Sequence, residues 1–274
     1  MPAGRRRAKR GPSATVIILV FFVGVAVGYG IFFLSPGKIV EKIVRISANN
    51  TQINYSEATA NIVAVTTDSS GAITGGVIGT TTVEVRPGEN RVLVDTNPFV
   101  ETDTQQSAET AINVAEEYTG LSPSNADFVV IFNMSAYNSS TTAQVVGGPS
   151  AGAAMTVAAI AALEGKQVRK DVAMTGTINE DGSIGAVGGV LEKAQAAAQV
   201  GVKTFLVPKG EARTTYYERQ VTIQTIRGFV IQRVSYVPKM LDLNNYTQQW
   251  GMNVYEVSKI SDVVPYAITG AASA

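Results

Sequence analysis

Val145-Val146-Gly147-Gly148-Pro149-Ser150-Ala151-Gly152 leads into a run of small apolar residues that carries no charge until Glu164. Gly147 and Gly148 loosen the backbone. Pro149, with its fixed φ and no N–H, then suits the first helical position, which places Ser150 in the first turn beside unpaired backbone donors. A nucleophile there has an oxyanion site within reach. Residues 152–163 are apolar all round, which predicts a helix buried on every side. Taken alone, a serine in this setting more often starts a helix than attacks a carbonyl, so the reading turns on what else the chain supplies.

Removing a proton from a serine requires a base, and the chain contains neither His nor Cys. Ser-His-Asp triads, Cys-His dyads and His- or Cys-based metal sites are therefore excluded, and no metal or cofactor is called for. The base must be a lysine or a carboxylate. Gly188-Gly189-Val190-Leu191-Glu192-Lys193 supplies a lysine in an unusual place. At helical spacing Val190, Ala194, Ala197 and Val200 form an apolar stripe and Lys193 lies within it, while Gln195 and Gln199 mark the wet face. A lysine held among apolar groups loses stability in its charged form, so its pKa falls from about 10.4 toward the range of a general base.

Gly148-Pro149-Ser150-Ala151-Gly152, Met174-Thr175-Gly176, Gly188-Gly189 with Lys193, and Gly201-Val202-Lys203-Thr204 with Val207-Pro208-Lys209 resemble the proteolytic domain of Lon-type serine-lysine peptidases, in order and in spacing. The likeness runs over residues 128–209 and resumes at 254–267. It looks closest to the small membrane-anchored archaeal members without an ATPase. The resemblance implies Ser150 as nucleophile, Lys193 as general base and Thr175 as a hydroxyl that orients the lysine, with Gly148, Pro149 and Ala151 shaping the serine loop. It also implies a homo-oligomer, a hexameric ring. Three positions depart from the pattern. Gly147 stands where Lon peptidases carry an acidic residue three before the serine, Thr177 stands where a Glu follows Thr-Gly, and the strand at 128–134 lacks the family's histidines.

The 274 residues are 45% hydrophobic and 16% charged, which fits a globular protein with one membrane segment. Formal net charge is zero, but Arg5, Arg6, Arg7, Lys9 and Arg10 all precede the first acid, Glu41, which leaves 17 basic against 22 acidic residues for the remainder. That balance argues against nucleic acid as a partner. Residues 14–34 form an uncharged run long enough to cross a bilayer core of about 30 Å. The basic cluster ahead of it is expected to stay cytoplasmic and the rest of the chain to lie outside the cell membrane. A cleaved signal peptide is the rival, since Ala26-Val27-Gly28 is a small-x-small triplet, although its apolar region is ordinarily shorter. Asn49, Asn54, Asn133, Asn138 and Asn245 each begin Asn-x-Ser/Thr, a pattern that a chain rich in Asn and Thr also meets by chance.

The expected organisation is a basic terminus at 1–13, a signal anchor at 14–34, a stalk at 35–58 and a peptidase domain at 59–274. Within the last, 59–100 reads as a three-stranded antiparallel meander and 101–270 as the α/β catalytic part. Strands are expected at 62–67, 73–86 and 91–94, a helix at 104–119 opened by Asp103 and Gln106 as a capping box, and a buried strand at 128–134. Gly75, Gly76 and Gly79 read as a bulge, or else as a close approach of substrate. The polar stretch at 135–144 reads as a flexible flap over the site, or else as a solvated loop with no role. A central strand follows at 170–175, a turn at 179–182, a strand at 204–207, a hairpin at 219–237 around Gly228, and a last strand and helix over 254–266. The fold class is α/β with a mixed sheet, a Lon proteolytic-domain fold preceded by a transmembrane helix and the meander.

No Gly-x-x-x-x-Gly-Lys-Ser/Thr occurs, and Gly182, Gly185 and Gly188 do not fit Gly-x-Gly-x-x-Gly, so nucleotide binding fails as an explanation of the glycines. The expectation is a membrane-anchored serine endopeptidase that works without ATP on unfolded or flexible polypeptides. Two other readings stand beside it: a non-catalytic membrane-tethered scaffold on the same fold, and a narrow self-processing peptidase.

Overall fold

The computed structural model describes residues 55–134, 145–226 and 229–270. The strands are β1 (Ser56–Thr67), β2 (Ile73–Pro87), β3 (Val92–Val94), β4 (Phe99–Val100), β5 (Ala126–Asn133), β6 (Val145–Val146), β7 (Val172–Met174), β8 (Thr177–Ile178), β9 (Ile184–Gly185), β10 (Thr204–Pro208), β11 (Arg213–Ile226), β12 (Phe229–Asp242) and β13 (Asn253–Val257). The helices are α1 (Thr102–Thr119), α2 (Gly152–Glu164), α3 (Val190–Gln199), α4 (Leu243–Thr247) and α5 (Ile260–Ala267). Seven strands form one mixed sheet in the order β13-β10-β7-β1-β2-β5-β3. From β13 to β1 the neighbours run parallel, and β2 is antiparallel to both β1 and β5.

The expected meander is corrected at its third strand, because β2 pairs with β5, and β3 lies parallel to β5 at the sheet edge, Val92 opposite Phe128. The cause is local. Asp127, at the start of β5, accepts hydrogen bonds from Glu89 N at 2.7 Å and Arg91 N at 3.1 Å and pairs with the Arg91 guanidinium at 2.6 Å. The turn after β2 therefore wraps over the end of β5 instead of folding back on β2. The Arg91 guanidinium holds the buried Asp127 carboxyl well below the usual carboxylate range.

Alternation along the strands divides the core in two. Ile62, Val172, Met174 and Leu206 face a layer of α1, α2 and α5, whereas Val63, Ala173, Phe205 and Val207 face α3 and α4. The outcome is a sheet covered on both sides. α2 meets the expectation of a helix buried all round, for every residue from 152 to 162 is buried. α1 begins two residues earlier than predicted, and the expected capping box is replaced. Glu101 is the N-cap without a side-chain bond, and Asp103 accepts instead from Thr104 N at 2.7 Å and from Gly148 N at 3.3 Å, tying the helix start to the serine loop.

The glycines of β2 have two explanations. A register shift at Thr66/Thr67 lies beside Gly75, so the bulge is present there. Gly76 marks a close approach, but of α3 rather than of substrate: a Cβ at this position would collide with the Glu192 carbonyl. The predicted hairpin at 219–237 is longer than expected, with 14 residues in each strand from Arg213 opposite Asp242 to Ile226 opposite Phe229, and it forms a two-stranded sheet of its own. The last strand and helix stand where predicted. Among the described residues no helix is long and apolar enough to cross a membrane. The expected anchor at 14–34, the basic segment at 1–13, all but the last residues of the stalk, and the flap at 135–144 lie outside the described residues.

Candidate active site

Pro149–Ala151 form a single 3-10 turn ahead of α2, and Gly148 before it has φ +86°, a left-handed backbone that glycine adopts without strain. The loop is held from outside by α1. Thr104 Oγ1 donates to Gly148 O at 3.1 Å and Ser107 Oγ donates to Pro149 O at 3.4 Å. Ser150 is thereby fixed, half-buried, at the N-terminal end of α2, where the helix dipole favours developing negative charge. Ala151 is buried beneath it.

Lys193 is the fourth residue of α3 and only 2% exposed, inside the predicted stripe of Val190, Ala194 and Ala197, whereas Val200, expected to extend that stripe, caps the helix end and is exposed. Its Nζ donates to Thr175 Oγ1 at 3.2 Å, and Thr175 Oγ1 in turn donates to Ser150 O at 3.3 Å. Gly176 N also donates to Ser150 O, at 2.9 Å. Ser150 and Lys193 belong to layers on opposite faces of the sheet. They are brought together at the C-terminal end of β7, where Thr175 follows Met174, the usual place for a site in an α/β sheet. Among the described residues no hydrogen bond joins Ser150 Oγ to Lys193 directly; Thr175 is the link.

Burial pushes the Lys193 pKa down to about 8, partly opposed by the Glu211 carboxylate. Glu211 is a component that the sequence did not reveal. Its Oε1 accepts from Val187 N at 2.9 Å, just ahead of the Gly188-Gly189 entry to α3, and burial pushes its own pKa up. Oε2 is enclosed and has no hydrogen-bond partner among the described residues. Lys209-Gly210-Glu211-Ala212-Arg213 reads as an exposed charged stretch, so local pattern gives no signal of this role.

Glu101 is the second omission. A Cβ added at Gly147 would collide with the Glu101 carboxylate, so the loop residue three before Ser150 lacks a side chain but has an acid lying against it. Glu101 N donates to Val146 O at 3.0 Å, and the β4–β6 pairing holds the two segments in register. Of the other departures from the family pattern, Thr177 opens β8, whose hairpin with β9 carries the predicted turn at 179–182. Among the described residues no three Asp or Glu side chains converge to hold a metal ion.

Residues 139–243 match the model of the Lon protease (S16) C-terminal proteolytic domain, a span that covers Ser150, Thr175, Lys193 and Glu211. Over that span the chain is similar to a Lon-type serine peptidase domain. Lon protease 2 of Syntrophobacter fumaroxidans is 54% identical over 61 residues, 22% of this chain and 8% of that protein. The Lon protease of Phenylobacterium zucineum is 36% identical over 156 residues, 54% of this chain and 18% of that protein, and the Lon protease of Escherichia coli K12 is 37% identical over 107 residues, 39% and 13% respectively. The chain thus spans less than a fifth of the length of these curated relatives. The mixed sheet with helices on both faces is consistent with the Lon-type domain, and the match runs on through β11 and β12 to the start of α4.

Proposed function

We propose that the chain is an endopeptidase in which Ser150 Oγ attacks the carbonyl carbon of a peptide bond and neutral Lys193 Nζ takes the hydroxyl proton. The tetrahedral oxyanion is held by backbone N–H groups of the turn at Ser150. The intermediate collapses to an ester on Ser150 as Lys193 returns the proton to the departing amine, and water, deprotonated by Lys193, then hydrolyses the ester. Thr175 positions the lysine and the serine backbone at once. The observation that carries this reading is an almost fully enclosed lysine, bonded to a threonine hydroxyl that is bonded to the serine's own carbonyl. Catalytic hydrogen bonds that are open in a free enzyme commonly tighten only when substrate binds.

The proposed setting follows from the sequence. The uncharged run at 14–34 with its basic flank supports a membrane anchor with the domain outside the cell. Hydrolysis without ATP, on chains that are already unfolded, rests on the resemblance to small members without an ATPase. A hexameric ring, and kinship with small archaeal enzymes of this type, rest on the family resemblance alone.

The decisive experiment is peptidase activity against pH on one unfolded substrate. Activity should rise as pH rises through about 8, because Lys193 acts in its uncharged form. Ser150→Ala and Lys193→Ala should each remove turnover, and the double variant should be no worse than either, as for residues that act as a unit. A Lys193→Ala variant with a wild-type rate and profile would show the base to be misassigned.

A further inference from the structure

Half of the exposed large apolar side chains among the described residues lie on the 28 residues of β11 and β12. Seven of these eight lie on one face, Ile231 being the exception. Directly opposed residues of an antiparallel pair point to the same face, and the register sets odd-numbered β11 positions opposite even-numbered β12 positions throughout. One face therefore carries Tyr217, Val221 and Ile223 from β11 and Val230, Val234 and Tyr236 from β12, with Met240 near the base, every one of them exposed. On the other face Thr214, Tyr216, Val237 and Leu241, near the base, are half-buried. Among the described residues the ribbon has no third strand, which leaves both of its edges open to them.

The base of this ribbon joins the candidate site. Glu211, two residues before β11, accepts from Val187 N at the entry to α3 and acts electrostatically on Lys193. A ribbon of this length, at about 3.4 Å per residue, reaches roughly 45 Å along its axis and presents about 450 Å² on one face. Arg219, Thr225 and Gln232 share this face, so its apolar part is smaller still, and the whole is well below the roughly 800 Å² per partner of a standard interface between two folded proteins. An extended chain is a different case. It can seat alternate side chains on the face and pair its main chain with an open edge, without needing a broad complementary surface.

We propose that the apolar face of the β11–β12 ribbon is a docking surface for the polypeptide substrate, an unfolded segment rich in apolar side chains that lies along the ribbon and is delivered to Ser150 at its base. This assignment rests on the peptidase reading, and its test is built to fail separately. In a Ser150→Ala background, binding of a fluorescein-labelled, reduced and carboxymethylated protein, permanently unfolded, is followed by anisotropy. Combined Val221→Thr, Ile223→Thr, Val234→Thr and Tyr236→Ser substitutions should weaken Kd at least tenfold. In the active chain they should lower kcat/KM on that protein tenfold or more through KM, and leave a short fluorogenic peptide within twofold. The single Ile223→Thr variant, far from the base, should show the same split at smaller size, with an unchanged melting temperature.

Unchanged binding of the unfolded protein would overturn the proposal, as would an equal loss on the short peptide. A fall in assembly mass by light scattering would overturn it in favour of a subunit contact, and selective loss of binding to phosphatidylcholine vesicles in favour of a lipid surface. Should the wild type cleave neither substrate while the ribbon variant still loses binding, the peptidase reading fails and the docking surface stands.

Discussion

α2 and β11 have almost the same length, 13 and 14 residues, and both carry large apolar side chains, yet α2 is enclosed on every side and β11 is exposed along most of its length. In α2 the apolar character is accounted for by packing, since the helix lies between the sheet and α1 and any polar group there would lack a partner. The ribbon contributes little to the core beyond Leu241. Side chains that packing does not require and solvent does not favour are retained for some other contact. The difference separates a region specified by its own interior from one specified by what it meets.

The sharpest way to break this contrast is chemical. Lys193→Arg should lower kcat on a short peptide by at least about a thousandfold at pH 8–9, because a guanidinium does not deprotonate there, whereas ribbon variants should leave that rate unchanged. Loss of short-peptide turnover in both would show that the ribbon is part of the site's framework. Next in size is the interior itself. Ile160→Ala, at a fully buried position of α2, should reduce unfolding free energy by about 2–5 kcal/mol in urea titrations, and a cost under about 1 kcal/mol would mean that α2 is less enclosed than described.

The buried lysine predicts a pH-dependent stability. In the folded chain Lys193 loses its proton near 8, whereas in the unfolded chain it keeps it up to 10.5. Between these values the unfolded chain binds the extra proton, so stability due to this group rises with pH across the window, and below about 8 the enclosed charge costs the whole difference, on the order of 3 kcal/mol. Lys193→Met should therefore be more stable than wild type by about 1–3 kcal/mol at pH 7, with the gap closing toward pH 10.5. A gap that does not change with pH would point to packing rather than charge. Smallest of all should be the ribbon, where Ile223→Thr, at a position 66% exposed, is expected to change stability by less than about 0.5 kcal/mol. A larger loss would place Ile223 in a contact within the fold.

Much of the body was legible because its signals are periodic. The uncharged run after Ser150 predicts a helix with no wet face, and the place of Lys193 among Val190, Ala194 and Ala197 predicts its burial; the structure has both. What periodicity does not carry is partnership between distant strands. Nothing in residues 73–94 shows that β5 will enter between β2 and β3, since that depends on an Asp127 carboxylate more than thirty residues later capturing the turn at 88–91. Glu211 and Glu101 were missed for a related reason. Each is a charged residue in a polar stretch, and only the chain folding around it places it against Val187 and Gly147. The ribbon's length was underestimated because Arg213, Thr214, Thr215 and Glu218 in one strand and Pro238 and Lys239 in the other interrupt its apolar pattern at the base, where pairing continues regardless of side chain.

Gly76 has a consequence for the lysine that lies 117 positions later in the chain. The strand at Gly76 and the helix at Glu192 touch backbone to backbone, with no side chain between them. Because Lys193 is the next residue after Glu192, the height at which α3 rides above the sheet is also the reach of Nζ toward Thr175. Even an alanine at 76 would act as a shim, lifting the helix and drawing the amine away from the hydroxyl. The missing methyl group is thus a gauge block for the site, set into a strand that holds none of its reactive atoms.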